Sequence, residues 1–226
     1  MTRTTASKAP ADAARALPAG FRYLPERFDR AAQRALLDEV LAAIEVADAP
    51  FHRGAMPRSG APLSVEGTNM GPLGWVTDKE RGYRYQPRHP LTDKPWPAIP
   101  QALIDLWFEV GAYAAPPEAC LVNLYREGAK LGLHVDQDEE ASEAAVVSVS
   151  LGDDALFRLG GLSRRDRTQS LRLRSGDVVV LGGTSRMAHH GVDRIYPNTS
   201  QLVPGGGRIN LTMRRVSRAE ILERGA

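Results

Sequence analysis

Six short segments of strand character follow one another after residue 118: ACLVNLY, AAVVSVSL, DALFRLG, QSLRLR, DVVVLGG and RINLTMRR. They are rich in Val, Leu and Ile and are parted by Gly, Asp and Ser turns, the pattern of an antiparallel sandwich or barrel. A jelly roll is among the architectures this admits. Two helices are expected ahead of it. From an N-cap at Asp29, RAAQRALLDEVLAAIEVA puts Leu36, Leu37, Val40, Leu41 and Ile44 on one face at helical spacing. A second helix after Pro100 carries Leu103, Ile104, Trp107, Phe108 and Val110. Both are expected to cover one face of the sheet.

Between the helices, residues 51–98 are punctuated by Gly and Pro, yet hold Trp75, Trp96 and the alternating aromatics of GYRY. Such a stretch is too long for a mere connector and suggests a binding lid. The expected organisation is therefore a disordered tail (1–20), a strand and helix extension (21–50), the lid (51–98), a β core with its supporting helix (99–216) and a C-terminal tail (217–226). The 226 residues suffice for one well-buried core. No apolar run approaches the roughly 18 residues of a membrane span, so no membrane association is expected. One cysteine, Cys120, excludes an internal disulfide framework, suits a reducing compartment such as the cytoplasm, and sits among apolar neighbours as buried filler.

The net charge of +2 is too small to imply nucleic acid. Its distribution says more, because Arg158, Arg164, Arg165, Arg167, Arg172 and Arg174 face a single acid, Asp166, over residues 158–174. This is either a solvated hairpin or an edge that meets phosphates.

The stretch LGLHVDQDEE departs most from an ordinary globular chain. If it is extended, period 2 sets His134 and Asp136 on the same face, two of the three ligands that a facial metal site needs. His52 and His89, in the loop-rich region, read as exposed or incidental. MAHHGVDRI offers His189 and His190; adjacent strand residues point opposite ways, and spacing does not say which of them completes the set. Glu139 and Glu140 read as solvated. In RINLTMRR, Ile209, Leu211 and Met213 form an apolar face, and Arg208, Asn210, Thr212 and Arg214 a polar one. Asn123 and Tyr125 likewise share a strand face. Polar faces turned into a barrel are costly to bury unless a ligand pairs with them. Two arginines suit a ligand with two carboxylates, and beside a facial metal this suggests 2-oxoglutarate.

The order NLYREGAKLGLHVDQDEE, VVSVSLGDDALFRLGGLSRRD, SGDVVVLGGTSRMAHHGV, RINLTMR resembles the AlkB family of iron(II)- and 2-oxoglutarate-dependent dioxygenases, and its bacterial DNA-repair branch in particular. The resemblance runs over about residues 70–215. It implies a mainly β fold of the α+β kind: a double-stranded β-helix, or jelly roll, with N-terminal helices on one sheet and a nucleotide-recognition lid. It implies iron(II) held by His134, Asp136 and His190. Arg208, with Asn123 and Tyr125, would take the distal carboxylate of 2-oxoglutarate, and Arg214 and Asn210 the carboxylate nearer the metal. MGPLGWVTDKERGYRYQP resembles the lid, placing Trp75, Tyr83 and Tyr85 around a target base, with Asp138 and Arg164 as further substrate contacts.

The implied activity is oxidative demethylation of N-methylated bases such as 1-methyladenine and 3-methylcytosine in alkylated DNA, with RNA as a further substrate, by a monomer. Formaldehyde, succinate and carbon dioxide are the implied products. The alternatives are a related oxygenase acting on tRNA or protein, and a non-catalytic β-barrel that binds nucleic acid.

Overall fold

The computed structural model describes residues 17–219. Most of the expected N-terminal tail, residues 1–16, and residues 220–226 of the C-terminal one lie outside the described residues.

Strand β1 (Phe21–Leu24) precedes helix α1 (Arg30–Val46), and the stretch after α1 contributes β2 (Glu66–Met70), β3 (Gly74–Asp78) and β4 (Gly82–Gln86). Helix α2 (Gln101–Val110) leads into β5 (Ala119–Tyr125), β6 (Leu131–His134), β7 (Val146–Gly152), β8 (Asp154–Leu159), β9 (Gln169–Leu173) and β10 (Val178–Leu181). A short 3-10 turn (Gly183–Met187) then enters β11 (His190–Tyr196), and β12 (Arg208–Arg214) follows. A six-stranded sheet runs β1-β10-β7-β12-β5-β2, a four-stranded sheet β6-β11-β8-β9, and β3 pairs with β4 alone. All of these pairings are antiparallel. The two larger sheets are the two leaves of the expected jelly roll.

Helix α1 begins where Asp29 accepts a hydrogen bond from the Ala32 N–H at 2.8 Å, a cap worth about 1 kcal/mol. Its buried stripe of Leu36, Leu37, Val40 and Ile44 packs with Leu103, Leu106, Trp107 and Val110 of α2 on the outer face of the larger sheet. Phe108 departs from expectation, being 50% exposed, while Leu106 takes the core position. At 100° per residue the stripe 103, 106, 107, 110 turns residue 108 outward.

The alternation along β12 divides its residues between two layers. Ile209, Leu211 and Met213 join the helix-side core, together with Cys120, Val122 and Leu124 of the neighbouring β5. Arg208, Asn210, Thr212 and Arg214 point between the sheets and line a cavity there. A second apolar cluster, with Val146, Phe157, Leu159, Val179, Leu181 and Val192, fills the rest of that space.

The span expected to be a lid is more structured than its composition suggested. Its β2 is an edge strand of the larger sheet, paired with β5 from Glu66↔Leu124 to Met70↔Cys120. The hairpin β3–β4 rises beyond it and is pinned by Trp96, whose indole N–H donates to the Gln86 carbonyl at 2.8 Å. A Cβ on Gly74 would lie 2.4 Å from the Trp96 ring, so only glycine lets the ring in this close. His89, expected to be exposed or incidental, is buried instead. Its Nδ1 accepts from the N–H groups of Leu91 and Thr92, at 3.2 and 3.3 Å, and its Nε2 therefore carries the proton that it donates to the Pro50 carbonyl at 2.9 Å. With the His52 ring edge-on at 4.8 Å, this is a structural knot below the β3–β4 hairpin. Among the described residues, no helix is long and apolar enough to cross a membrane.

Candidate active site

His134 ends β6, His190 begins β11, and the two residues are direct cross-strand partners. Directly opposed residues project to the same side of a sheet, so both imidazoles enter the inter-sheet cavity. This separates the two adjacent histidines. His190 faces the cavity, whereas His189 is half-buried with its Nδ1 3.4 Å from the Gly161 carbonyl. Gly191 makes the approach possible, because a Cβ there would lie 2.5 Å from the Leu131 carbonyl oxygen of β6. Asp136 follows just beyond β6, and the ligand atoms of His134, Asp136 and His190 lie within 4.8 Å of one another.

The protonation pattern of this trio favours a cation. Nδ1 of His134 is 2.9 Å from the Gly132 carbonyl, and Nδ1 of His190 is 3.0 Å from the Ala188 carbonyl. A carbonyl only accepts, so both Nδ1 atoms carry the hydrogen and both Nε2 lone pairs are free. Each Nε2 faces Asp136: His134 at 3.4 Å from Oδ1, His190 at 3.6 Å from Oδ2. Oδ2 is buried and accepts no hydrogen bond. Burial opposes ionisation of Asp136, but Arg214 and the two imidazoles outweigh it and hold its carboxyl well below the usual range. Burial pushes His190 down to about 4, which keeps its ring neutral. For His134, burial is outweighed by the adjacent Asp136 carboxylate and the pKa is raised, so that a metal bound at Nε2 takes the place of a proton. One carboxylate and two imidazole lone pairs on one side of a cavity are the donor set of a facial iron(II) centre with open positions.

The cavity is also lined by Asn123, Tyr125, Arg208, Asn210, Thr212 and Arg214. Arg208 is 1% exposed and donates to the Ser150 hydroxyl at 2.8 Å, but its Nε and Nη1 have no partner. Burial lowers its pKa to about 10. A buried guanidinium with open donors is costly unless an anion completes it. At the metal end, Arg214 donates to Asp136 Oδ1 at 2.7 Å and to Glu139 Oε1 at 2.9 Å, while its Nε remains without a partner. Asn210 is held by Ser148, the Val149 carbonyl and Thr212. The open donors at the two arginines suit a short dicarboxylate.

The hairpin β3–β4 carries the residues expected around a base. Trp75 and Tyr85 are cross-strand partners, and the Trp75 ring stacks on Tyr83 at 5.3 Å with 19° between planes. The Trp75 indole N–H donates to Asp138 Oδ2 at 2.8 Å. Tyr85 turns its hydroxyl inward to Glu139 and Arg214. Arg164 is exposed and donates to the Leu133 carbonyl at 2.8 Å, one residue before His134. Glu139 is a correction. It was expected in solvent, yet it is 6% exposed and ion-paired with both Arg214 and Arg186. Glu140 is exposed as expected. Arg186 is not marked by the sequence, because the carboxylate it pairs with, Glu139, lies 47 residues away in the chain.

The family model described as the 2OG-Fe(II) oxygenase superfamily matches residues 20–214. A Caulobacter vibrioides protein named an alpha-ketoglutarate-dependent dioxygenase AlkB homolog is 55% identical over 200 residues, 88% of this chain and 89% of that one. The alpha-ketoglutarate-dependent dioxygenase AlkB of Escherichia coli is 44% identical over 175 residues, 76% and 80% of the two chains. The solved structure of OsALKBH1 superimposes with a TM-score of 0.72 at 29% identity, over 89% of this chain and 98% of that one. The chain belongs to the 2OG-Fe(II) oxygenase superfamily and, within it, to the AlkB family. It is a dioxygenase that uses iron(II) and 2-oxoglutarate.

Proposed function

We propose that the enzyme repairs alkylated DNA by oxidative removal of N-methyl groups from bases such as 1-methyladenine and 3-methylcytosine. The observation that carries this reading is the Trp75–Tyr83 stack tied to Asp138, two residues beyond the Asp136 ligand. A base methylated on its pairing edge is cationic, and an aromatic face beside a carboxylate favours such a ring. That base has already lost much of its pairing, so extruding it from the stack costs less.

In this reading His134, Asp136 and His190 hold iron(II). Arg208, assisted by Asn123 and Tyr125, takes the distal carboxylate of 2-oxoglutarate, and Arg214 with Asn210 attends the nearer one. Trp75, Tyr83, Tyr85 and Asp138 surround the base, and Arg164 holds the substrate strand. Bound iron and 2-oxoglutarate supply the oxidation of the methyl group by dioxygen, with succinate and carbon dioxide as co-products. The hydroxymethyl group then leaves the base nitrogen as formaldehyde. The exposed arginines of residues 164–174 meet flanking phosphates, with binding that weakens as salt rises. Every residue named comes from one chain, so a monomer suffices, and a single buried cysteine suits the cytoplasm.

The test is incubation with iron(II), 2-oxoglutarate and oligonucleotides carrying single methylated bases, in DNA and in RNA, with formaldehyde and the loss of one methyl mass as readouts. Demethylated DNA is the expected outcome. Turnover confined to RNA or to peptides overturns the repair reading.

A further inference from the structure

Glu139 and Arg186 have no part in the roles above, although both are buried beside the site. Arg186 lies in the 3-10 turn that enters β11, four residues before His190. Each nitrogen of its planar guanidinium has a partner: Nε donates to the Ala144 carbonyl at 2.9 Å, Nη1 to the Asp136 backbone carbonyl at 2.5 Å, and Nη2 to Glu139 Oε2 at 2.8 Å. The other Glu139 oxygen accepts from Arg214 Nη1 at 2.9 Å and from the Tyr85 hydroxyl. One side chain thus touches the backbone of a metal ligand directly and reaches Arg214 through a single carboxylate.

We infer that Arg186 is a positioning residue that, through Glu139 and the Asp136 backbone, presents Arg214 to the 2-oxoglutarate carboxylate nearer the metal. This rests on the assignment of that carboxylate to Arg214. The charges explain why a second arginine is needed. Asp136 and Glu139 both claim Arg214, one at each terminal nitrogen, and only its Nε stays open. With Arg186 absent, two buried carboxylates would share one cation, and Glu139 would hold Arg214 more tightly than an incoming anion could match. With Arg186 present, Glu139 is balanced and Arg214 keeps capacity for the co-substrate. Three acceptors fanned around one side chain also fit the guanidinium fork and not a lysine ammonium.

The experiment compares Arg186→Met, Arg186→Lys, Glu139→Gln, the Arg186→Met/Glu139→Gln double variant and Arg214→Met. For each, calorimetric binding of 2-oxoglutarate to the cobalt-loaded protein, the visible absorption of the bound cobalt, and the separate KM and kcat are measured. Arg186→Met is expected to weaken 2-oxoglutarate binding on the order of tenfold and to shift the cobalt absorption. Arg186→Lys is expected to recover part of the loss. The double variant is expected to lose no more than the worse single one, because both act on Arg214 along one path. If folded Arg186→Met binds 2-oxoglutarate like the parent, or if the losses simply add, the inference is overturned. If Arg186→Met does not fold, Arg186→Lys decides: parental affinity overturns the inference and a loss supports it. Parental binding by Arg214→Met would instead remove the Arg214 assignment beneath it.

Discussion

The indole N–H of Trp75 and Oδ2 of Asp138 lie 2.8 Å apart across 63 residues of chain, joining the lid hairpin to the loop that carries Asp136. The same carboxylate sits at the edge of the Trp75 ring in the Trp75–Tyr83 stack, so its charge bears on a ring that binds there. Asp138→Asn keeps the shape and a hydrogen-bonding oxygen while removing the charge. It is expected to lower kcat/KM for the cationic 1-methyladenine about tenfold, worth roughly 1.4 kcal/mol, and to change turnover of a neutral methylated base much less. Equal losses on both would show that the charge is not what selects.

The two adjacent histidines should differ sharply. His190→Ala removes one lone pair from the facial set and is expected to abolish stoichiometric cobalt binding at micromolar protein. His189→Ala, which disturbs only a contact near Gly161, is expected to bind the metal as the parent does. Equilibrium dialysis distinguishes them, and a chelator should silence the parent until iron(II) is restored.

Arg208 ties stability to the co-substrate. Its buried charge has open donors, so Arg208→Met should leave the melting temperature of the ligand-free protein unchanged or raised. At the same time it should raise KM for 2-oxoglutarate by about a hundredfold, the scale of about 2.7 kcal/mol for a charged hydrogen-bonded pair. Saturating 2-oxoglutarate with cobalt should raise the melting temperature of the parent well above that with cobalt alone. A variant that still gains this increment would show that the anion lies elsewhere.

The pH dependence of stability should carry the mark of the lid. Burial is the first cause that lowers the pKa of both His52 and His89 below 6.5. The unfolded chain then takes up protons at a higher pH than the folded one, so their contribution is complete above about pH 6.5 and is lost as pH falls below it. Urea midpoints measured from pH 7.5 to 5 should fall for the parent. They should fall less steeply for His89→Asn, whose side-chain oxygen can replace the Nδ1 acceptor. Parallel slopes would place the sensitivity elsewhere.

What the sequence disclosed follows from distance along the chain. The strand segments, the Asp29 cap and the apolar stripe of α1 depend on neighbours a few residues away, and periodicity exposes them. The polar face of β12 was legible for the same reason, since the alternation of Arg208, Asn210 and Arg214 needs no knowledge of its partner strand. Spacing alone left His189 and His190 equal, because the choice is made by the His190↔His134 pairing across two strands. Glu139 misled for a related reason. In DQDEE it looks like one of several solvated acids, and only Arg186 and Arg214, 47 and 75 residues onward, draw it inside. The lid strands were hidden by their Gly and Pro content, and β2 in particular is extended because β5 offers it an edge.

Strand β12 places the residues that hold the helix layer in alternation with those that line the cavity. Its two tasks therefore share a single reading frame along the backbone. Replacement of one side chain can spoil one task and spare the other, but a one-residue insertion or deletion within Arg208–Arg214 would exchange the faces beyond it. A change of side chain in this segment therefore costs one task, whereas a change of length costs both at once.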